Sequence, residues 1–179
     1  GAIDFSASAR RVRCLIMGMN PSPGAFLDFG DYRIKIHEAY EGIDNKHGGP
    51  FGCVIVKDGK IVGRGHNEVL KNQDCTCHGE MMAIRDACKN LETFDLSGCE
   101  LFTTSEPCPM CAGAIINSRI KNVYFGAGDY KNGACGSVIN LFELDFNHKP
   151  NFESGILETE CSEILTRFFK NLREKKAEV

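Results

Sequence analysis

A helix-like stretch between two strand-like stretches limits the folds open to the second half of the chain. Residues 99–104 (CELFTT) and 121–127 (KNVYFGA) are short apolar runs typical of buried strands. Between them, residues 108–120 (CPMCAGAIINSRI) favour a helix, with Pro107 near its start, where a missing N–H costs nothing. Because helices and strands alternate in this way, the pattern predicts an α/β protein built in layers around a mixed sheet.

The segments before this unit extend the alternation. In residues 31–43 (DYRIKIHEAYEGI) the apolar positions approximate a helical stripe, which predicts a helix. Residues 53–65 (CVIVKDGKIVGRG) contain two β-rich runs joined through Asp58-Gly59, a strong hairpin signal. Residues 80–91 (EMMAIRDACKNL) then predict a further helix.

The last part of the chain predicts one more strand and a closing helix. Residues 155–158 (GILE) are expected to form a short strand. Residues 160–176 (ECSEILTRFFKNLREKK) place their apolar side chains on one helical face and end in basic residues, which suits the negative end of a helix dipole.

The size and charge of the chain exclude several classes of protein. With 179 residues the chain is long enough for one domain with a real core, and its net charge of −3 gives no overall basic field. No apolar run approaches the roughly 20 residues of a membrane span. We expect residues 1–28 to be a loosely ordered extension, with a poor match to a signal peptide, and residues 29–179 to form the single domain. The ten scattered cysteines favour free thiols in a reducing cytoplasm over a disulfide scaffold.

Two short motifs, about thirty residues apart, supply the elements of a metal site. Cys108 and Cys111 form a Cys-x-x-Cys pair at the start of one predicted helix, and His78 and Glu80 form His-x-Glu at the start of another. The strand between them brings both helix starts to one edge of the sheet. A structural zinc site needs four protein ligands, and a redox pair would leave His78 and Glu80 unexplained. The favoured prediction is therefore a catalytic zinc site with His78, Cys108 and Cys111 as ligands.

These residue types suit hydrolytic chemistry. One imidazole and two thiolates hold Zn²⁺ and leave a fourth position for water, whose pKa the metal lowers from 15.7 toward about 7. Glu80 does not share a helix face with His78, so it can avoid the metal, take a proton from the water and protonate a ring nitrogen of the substrate. The alternative is a closed structural site in which Cys75 or Cys77 is the fourth ligand.

At these residues the chain resembles the cytidine deaminase-like superfamily. His-x-Glu at 78–80, followed by Pro-Cys-x-x-Cys at 107–111, is similar to the signature of zinc nucleobase deaminases, and the resemblance covers about residues 30–177. It implies a three-layer α/β/α fold with a central mixed five-stranded sheet. It also implies that the zinc lies at two helix N-termini.

The second half of the chain resembles the bacterial tRNA adenosine deaminases, which convert the wobble adenosine of a tRNA to inosine and act as homodimers. The matching stretches are residues 111–141 (CAGAIINSRIKNVYFGAGDYKNGACGSVINL), 146–148 (FNH) and 160–176. This resemblance implies a tRNA anticodon loop as partner. It also implies substrate contacts at the matching positions, which are Asn67, Asp129, Asn140, Phe168, Phe169 and Arg173.

The first half departs from that family. Gly48 and Gly49 stand before Pro50, where the tRNA enzymes usually have an acidic residue and a valine, and HGGPFG is more similar to the free-base guanine deaminases. Gly79 in HGE resembles the cytosine deaminases of fungal type. Residues around Pro50 wall the base pocket in this superfamily, so Pro50 is a further predicted substrate contact. The alternatives are a free guanine or cytosine deaminase and a non-catalytic zinc-binding partner subunit, against which the intact Glu80 argues.

Several predicted substrate contacts also have a structural interpretation. The Asn67 amide can pair with a base edge, but asparagine also ends strands for turn reasons. Phe168 and Phe169 cannot both face the core of one helix, so one is expected to be buried and the other to stack on a base or pack in a dimer. The basic run at 170–176 either contacts phosphate or serves the helix dipole. Asp129 begins a turn sequence, where a substrate loop would lie.

Overall fold

The structure is a computed structural model that describes residues 25–29, 32–36 and 48–177. The chain divides into two compact units, Gly1–Ile43 and Asp44–Val179. The boundary expected near residue 28 stays a prediction, because residues 1–24 lie outside the described part. A strand over Ala25–Phe29 runs across that position.

The first unit contains a two-stranded antiparallel sheet. Strand β1 (Ala25–Phe29) pairs with β2 (Tyr32–Ile36), so that Ala25 lies opposite Ile36. The helix predicted for residues 31–43 is therefore wrong over β2. The sequence YRIKI alternates apolar and basic residues, a period of two that suits a strand at least as well as the helical spacing. Residues 37–43 of that prediction lie outside the described residues.

The second unit is built on a five-stranded mixed sheet. Its strands are β3 (Gly52–Lys57), β4 (Lys60–His66), β5 (Glu100–Ser105), β6 (Asn122–Ala127) and β7 (Asn151–Ser154), in the spatial order β4-β3-β5-β6-β7. Strand β3 pairs antiparallel with β4 and β5, whereas β5, β6 and β7 run parallel. The predicted mixed five-stranded sheet is confirmed.

The hairpin between β3 and β4 forms at the predicted dipeptide. Asp58 and Gly59 have φ angles of 50° and 71°. Two consecutive positive φ angles give the turn whose twist matches that of the flanking strands, and aspartate and glycine tolerate that backbone best.

Among the described residues, the helices that accompany the sheet are α1 (Val69–Asn72), α2 (Gly79–Asn90), α3 (Pro109–Asn117) and α4 (Glu158–Ala177). Helices α1 and α2 both lie between β4 and β5 in the chain, and α2 packs on β3 and β4. Helix α3 joins β5 to β6. Within the described part of the chain, no helix combines the length and apolar character needed to cross a membrane.

The helices lie on both faces of the sheet, as the predicted three-layer fold requires. Val123 and Phe125 of β6 belong to the buried core, together with Ile115 of α3. A side chain at position 126 would point to the opposite face of the sheet, because side chains alternate along a strand. A Cβ at Gly126 would collide with the Cys161 side chain, which places α4 on that face.

One local prediction is wrong near the C-terminal end of the chain. Residues 155–158 form no strand; Gly155 and Leu157 have φ angles of 81° and 53° and make the turn that leads into α4. The last strand is instead β7, one segment earlier. Helix α3, in the middle of the chain, begins at Pro109, so that Pro107 lies near its start as predicted.

Candidate metal centre and active site

One group of potential metal ligands stands out within the described residues. It consists of His78, Cys108 and Cys111, whose ligand atoms all lie within 4.8 Å of one another. His78 caps α2 and Cys108 caps α3, while Cys111 lies in the first turn of α3. The structure thus brings together the three residues that the sequence predicts as ligands.

The spacing of the three donor atoms fits zinc. His78 Nδ1 lies 3.5 Å from Cys108 Sγ and 3.6 Å from Cys111 Sγ. Zinc bonds of about 2.3 Å to sulfur and about 2.0–2.1 Å to nitrogen, at a tetrahedral angle, would separate sulfur from nitrogen by about 3.6 Å. Two thiols and one imidazole are also a typical donor set for Zn²⁺ with one open position.

The electrostatics of the cluster favour a thiolate. The positive ends of α2 and α3 both point at it, because His78 and Cys108 are their caps. The pKa of Cys108 is lowered to about 4, first by the hydrogen bond with Cys111 and further by that with His78, although burial opposes the shift. A thiolate is the form of cysteine that binds a metal.

Glu80 lies beside the cluster in the first turn of α2 and is only 7% exposed. Its Oε2 accepts a hydrogen bond from Cys111 Sγ at 3.4 Å, and its Oε1 accepts one from Thr103 Oγ1 at 3.2 Å. Burial raises the pKa of Glu80 above the usual value for glutamate. A carboxyl group with a raised pKa can both take and return a proton near neutral pH.

Neither of the other two cysteines near His78 joins the cluster. Cys75 is exposed, whereas the Cys77 thiol is buried and lies 3.6 Å from Asn72 Nδ2 and 3.7 Å from Arg85 Nη1. Among the residues that the structure describes, the group of close ligand atoms therefore has three members, and the fourth position of a tetrahedral metal would be open.

The loop before β3 engages the predicted substrate residue Asn67. Its Nδ2 donates to the Gly48 carbonyl at 3.0 Å, and its Oδ1 accepts from the Val69 N–H at 3.1 Å. Gly48 has a φ of 123°, which favours glycine, and a Cβ there would lie 3.1 Å from Asn67 Oδ1. The Asn67 amide therefore holds this loop, which continues into Pro50, and its contact with a substrate stays a prediction.

The segment that follows β6 carries Asp129 and Asn140, both partly exposed. The Asp129 carboxylate accepts from the N–H groups of Lys131 and Asn132, and Asn140 Oδ1 accepts from the Phe142 N–H at the start of a 3₁₀ turn (Leu141–Glu143). Both side chains therefore shape their own loop.

The two adjacent phenylalanines of α4 divide as predicted: Phe168 is 4% exposed and Phe169 is 42% exposed. The Phe169 ring lies 6.2 Å from that of Phe51, and a Cβ at Gly49 would lie 3.2 Å from the Phe168 ring. Helix α4 therefore packs against the loop that contains Pro50. Arg173, further along α4, is exposed.

Two residues near the cluster were missed by sequence reasoning. Thr103 donates to Glu80, and Glu106 is a carboxylate only 4% exposed that precedes Pro107. Thr103 lies on an ordinary strand pattern that gives no hint of this contact. For Glu106, the sequence offers one sign of a special role: an acidic residue stands directly between a buried strand and the Pro-Cys motif.

Comparison with known proteins agrees with this geometry. Residues 32–127 match the family model of the cytidine and deoxycytidylate deaminase zinc-binding region. The tRNA-specific adenosine deaminase of Bacillus subtilis strain 168 is 47% identical over 128 residues, which are 71% of this chain and 80% of that protein.

Two solved structures are also similar. A tRNA:A34 deaminase, studied for A-to-I editing at the wobble position, has a TM-score of 0.63 and 42% identity, covering 65% of this chain and 85% of that one. The guanine deaminase of Nitrosomonas europaea has a TM-score of 0.56 and 25% identity, covering 68% and 73% of the two chains. From the matched family model and the extent of these likenesses, we conclude that the chain belongs to the cytidine and deoxycytidylate deaminase family of zinc-binding proteins.

Proposed function

We propose that this protein is a zinc-dependent hydrolytic deaminase that converts adenosine to inosine at the wobble position of a tRNA. The proposal rests on the spacing of the donor atoms of His78, Cys108 and Cys111, which fits a zinc ion. The buried carboxylate of Glu80 lies beside these atoms. The choice of base and nucleic acid is supported by the 47% identity to the Bacillus subtilis enzyme, which is named for tRNA and adenosine.

The residues of the cluster divide the chemistry. His78, Cys108 and Cys111 hold the zinc ion, which when bound lowers the pKa of a water molecule to about 7 and so supplies a nucleophile. Glu80 takes a proton from the attacking water and passes it to the purine ring nitrogen. It then carries the second water proton to the exocyclic amine, so that ammonia leaves and a carbonyl remains. Thr103 holds Glu80 in place through its hydrogen bond.

The surrounding residues recognise the substrate. Pro50, held in its loop by Asn67, walls the base pocket, and Phe169 offers an exposed ring for stacking. Asp129 and Asn140 shape the loop after β6 that meets the RNA, and Arg173 on α4 contacts a phosphate group of the RNA. These roles are supported by the contact of the Phe169 ring of α4 with Phe51, next to Pro50, and by the partial or full exposure of Asp129, Asn140 and Arg173.

A homodimer in the cytoplasm is the proposed assembly. In the described part, exposed apolar side chains are concentrated between residues 138 and 146, at Val138, Ile139, Leu144 and Phe146. Such a concentration favours a protein interface. Light scattering on the purified protein is expected to give the mass of two chains, and the mass of one chain across the micromolar range would contradict the dimer.

The substrate is tested by a parallel assay. Zinc-loaded protein is given an anticodon stem-loop with adenosine at the wobble position and, separately, guanine, cytosine and free adenosine. We expect inosine in the stem-loop and little ammonia from the small molecules. The rate below saturation should fall between 50 and 200 mM salt, because phosphate contacts supply much of the affinity. The matched control is the same stem-loop with guanosine at the wobble position.

The second candidate is a deaminase of free guanine. Gly48 and Gly49 before Pro50 favour it, as does the likeness to the Nitrosomonas europaea guanine deaminase. The same assay separates the two candidates. Guanine turnover without inosine in the stem-loop would replace the tRNA proposal and leave the roles of the zinc ligands and Glu80 unchanged.

A further inference from the structure

Glu106 is a buried carboxylate that the deamination steps do not use. It follows β5 directly, precedes Cys108 by two residues and is only 4% exposed. Within the described part of the chain, no lysine, arginine or histidine forms an ion pair with it. A buried charge without a countercharge needs several hydrogen bonds to be tolerated, so its partners indicate what it is for.

Among the described residues, the donors to the Glu106 carboxylate all lie in the loop after β6. Oε2 accepts from the Asp129 N–H at 3.0 Å and from the Ser137 hydroxyl, and Oε1 accepts from the N–H groups of Cys135 at 2.9 Å and Ser137 at 3.0 Å. The carboxylate also fills the space beside Gly133, where a Cβ would overlap it. One side chain therefore gathers residues 129–137 around itself.

The same loop is tied to the segment that holds the metal ligands. The Ala134 N–H donates to the Pro107 carbonyl at 2.9 Å, so the loop is bonded to both residues that precede Cys108. Displacement of Glu106 would shift Asp129 relative to Cys108, because Glu106 and Cys108 are separated by a single proline.

We propose that Glu106 is a positioning residue. It holds the loop 129–140 beside the three predicted zinc ligands, and it thereby places the substrate contacts of that loop for the reaction. The inference rests on the deaminase function proposed above, but not on which base is deaminated. In this role Glu106 acts through Asp129 and Ser137, from which its carboxylate accepts hydrogen bonds.

The direct test is Glu106→Gln. The glutamine has nearly the same shape, but its NH₂ group faces N–H donors and its oxygen carries no full charge. We expect kcat/KM to fall about 10- to 100-fold, mainly because KM rises. This fall corresponds to the loss of one or two hydrogen bonds to a charged group. Bound zinc should remain at one ion per chain. The assay uses whichever substrate the wild-type protein deaminates.

Glu100→Gln is the matched control. Glu100 begins the strand that Glu106 follows, is 9% exposed and accepts from Asn122 Nδ2 at 2.8 Å, but it lies at the far end of β5 from the cluster. Its replacement should change kcat/KM by less than about twofold. Should Glu106→Gln fail to fold, Ser137→Ala removes only the hydroxyl donor and is expected to lower kcat/KM about three- to tenfold.

Two readouts separate positioning from general support of the fold. Amide hydrogen exchange at Asp129, Cys135 and Ser137 should accelerate in Glu106→Gln, while the amides of α3 keep wild-type protection. The double variant with Asp129→Ala should lose little more activity than either single variant, because both changes act on one loop. Loss of zinc, unchanged loop exchange or fully additive losses would each overturn the inference. The exchange measurement needs no turnover, so an inactive wild-type protein would count against the proposed function alone.

Discussion

Replacement of Glu80 by glutamine is expected to lower kcat by about 10²–10⁴-fold while zinc remains bound. The amide has the shape of the carboxylate and can still meet Thr103 and Cys111, but it cannot take a proton from water or return one to the base. Steady-state kinetics and metal analysis on the same preparation measure both quantities. A variant that retains activity within a few fold of wild type would show that another group moves the protons.

Stability offers an internal control for this variant. Burial raises the pKa of Glu80 in the folded protein. A carboxyl group with a raised folded pKa contributes stability when protonated, and this contribution is lost as the pH rises from the usual glutamate value through the folded pKa. Above the folded pKa, the ionised carboxylate is therefore less favourable to the folded state than the protonated acid. After a chelator has removed the zinc from both proteins, the Glu80→Gln variant should unfold at the same temperature as wild type or at a higher one. Low activity accompanied by a lower unfolding temperature would point to damage of the fold.

Replacement of a zinc ligand is expected to have the other large effect. Cys111→Ala removes one of the three close donors, so the protein should be purified with far less than one zinc per chain. Activity should fall below that of the Glu80 variant, because a protein without the metal lacks the nucleophile. Zinc stoichiometry measured by mass spectrometry, together with the rate, tests this expectation.

Cys75→Ala and Cys77→Ala are the matched controls for Cys111→Ala. Both residues lie close to His78 in the sequence, but neither belongs to the cluster of donor atoms. Each variant should keep one zinc per chain and its activity. If Cys77→Ala released the metal, a closed structural site with four protein ligands would replace the catalytic assignment.

Much of the fold could be predicted because its signals are local. The Asp58-Gly59 turn, the two strands that flank α3 and the helices that begin at Gly79 and Pro109 follow from short patterns of apolar residues and turn formers. The prediction fails where a short pattern fits two structures. YRIKI in β2 satisfies both a helical stripe and a strand alternation, and pairing with β1 decides between them.

The sequence by itself determined which atoms can bind zinc and which can move a proton, since His-x-Glu and Pro-Cys-x-x-Cys each assign their residues to a helix start. Only the tertiary structure decided how those atoms meet. Parallel pairing of β5 and β6 brings the loop after β6 beside Cys108. This loop buries Glu106, whose carboxylate accepts hydrogen bonds from its backbone N–H groups. Residue identity and local spacing are properties of the chain. The burial of Glu106, the distances between the three donor atoms and the hydrogen bond of the Asn67 amide to Gly48 depend on contacts between residues far apart in sequence.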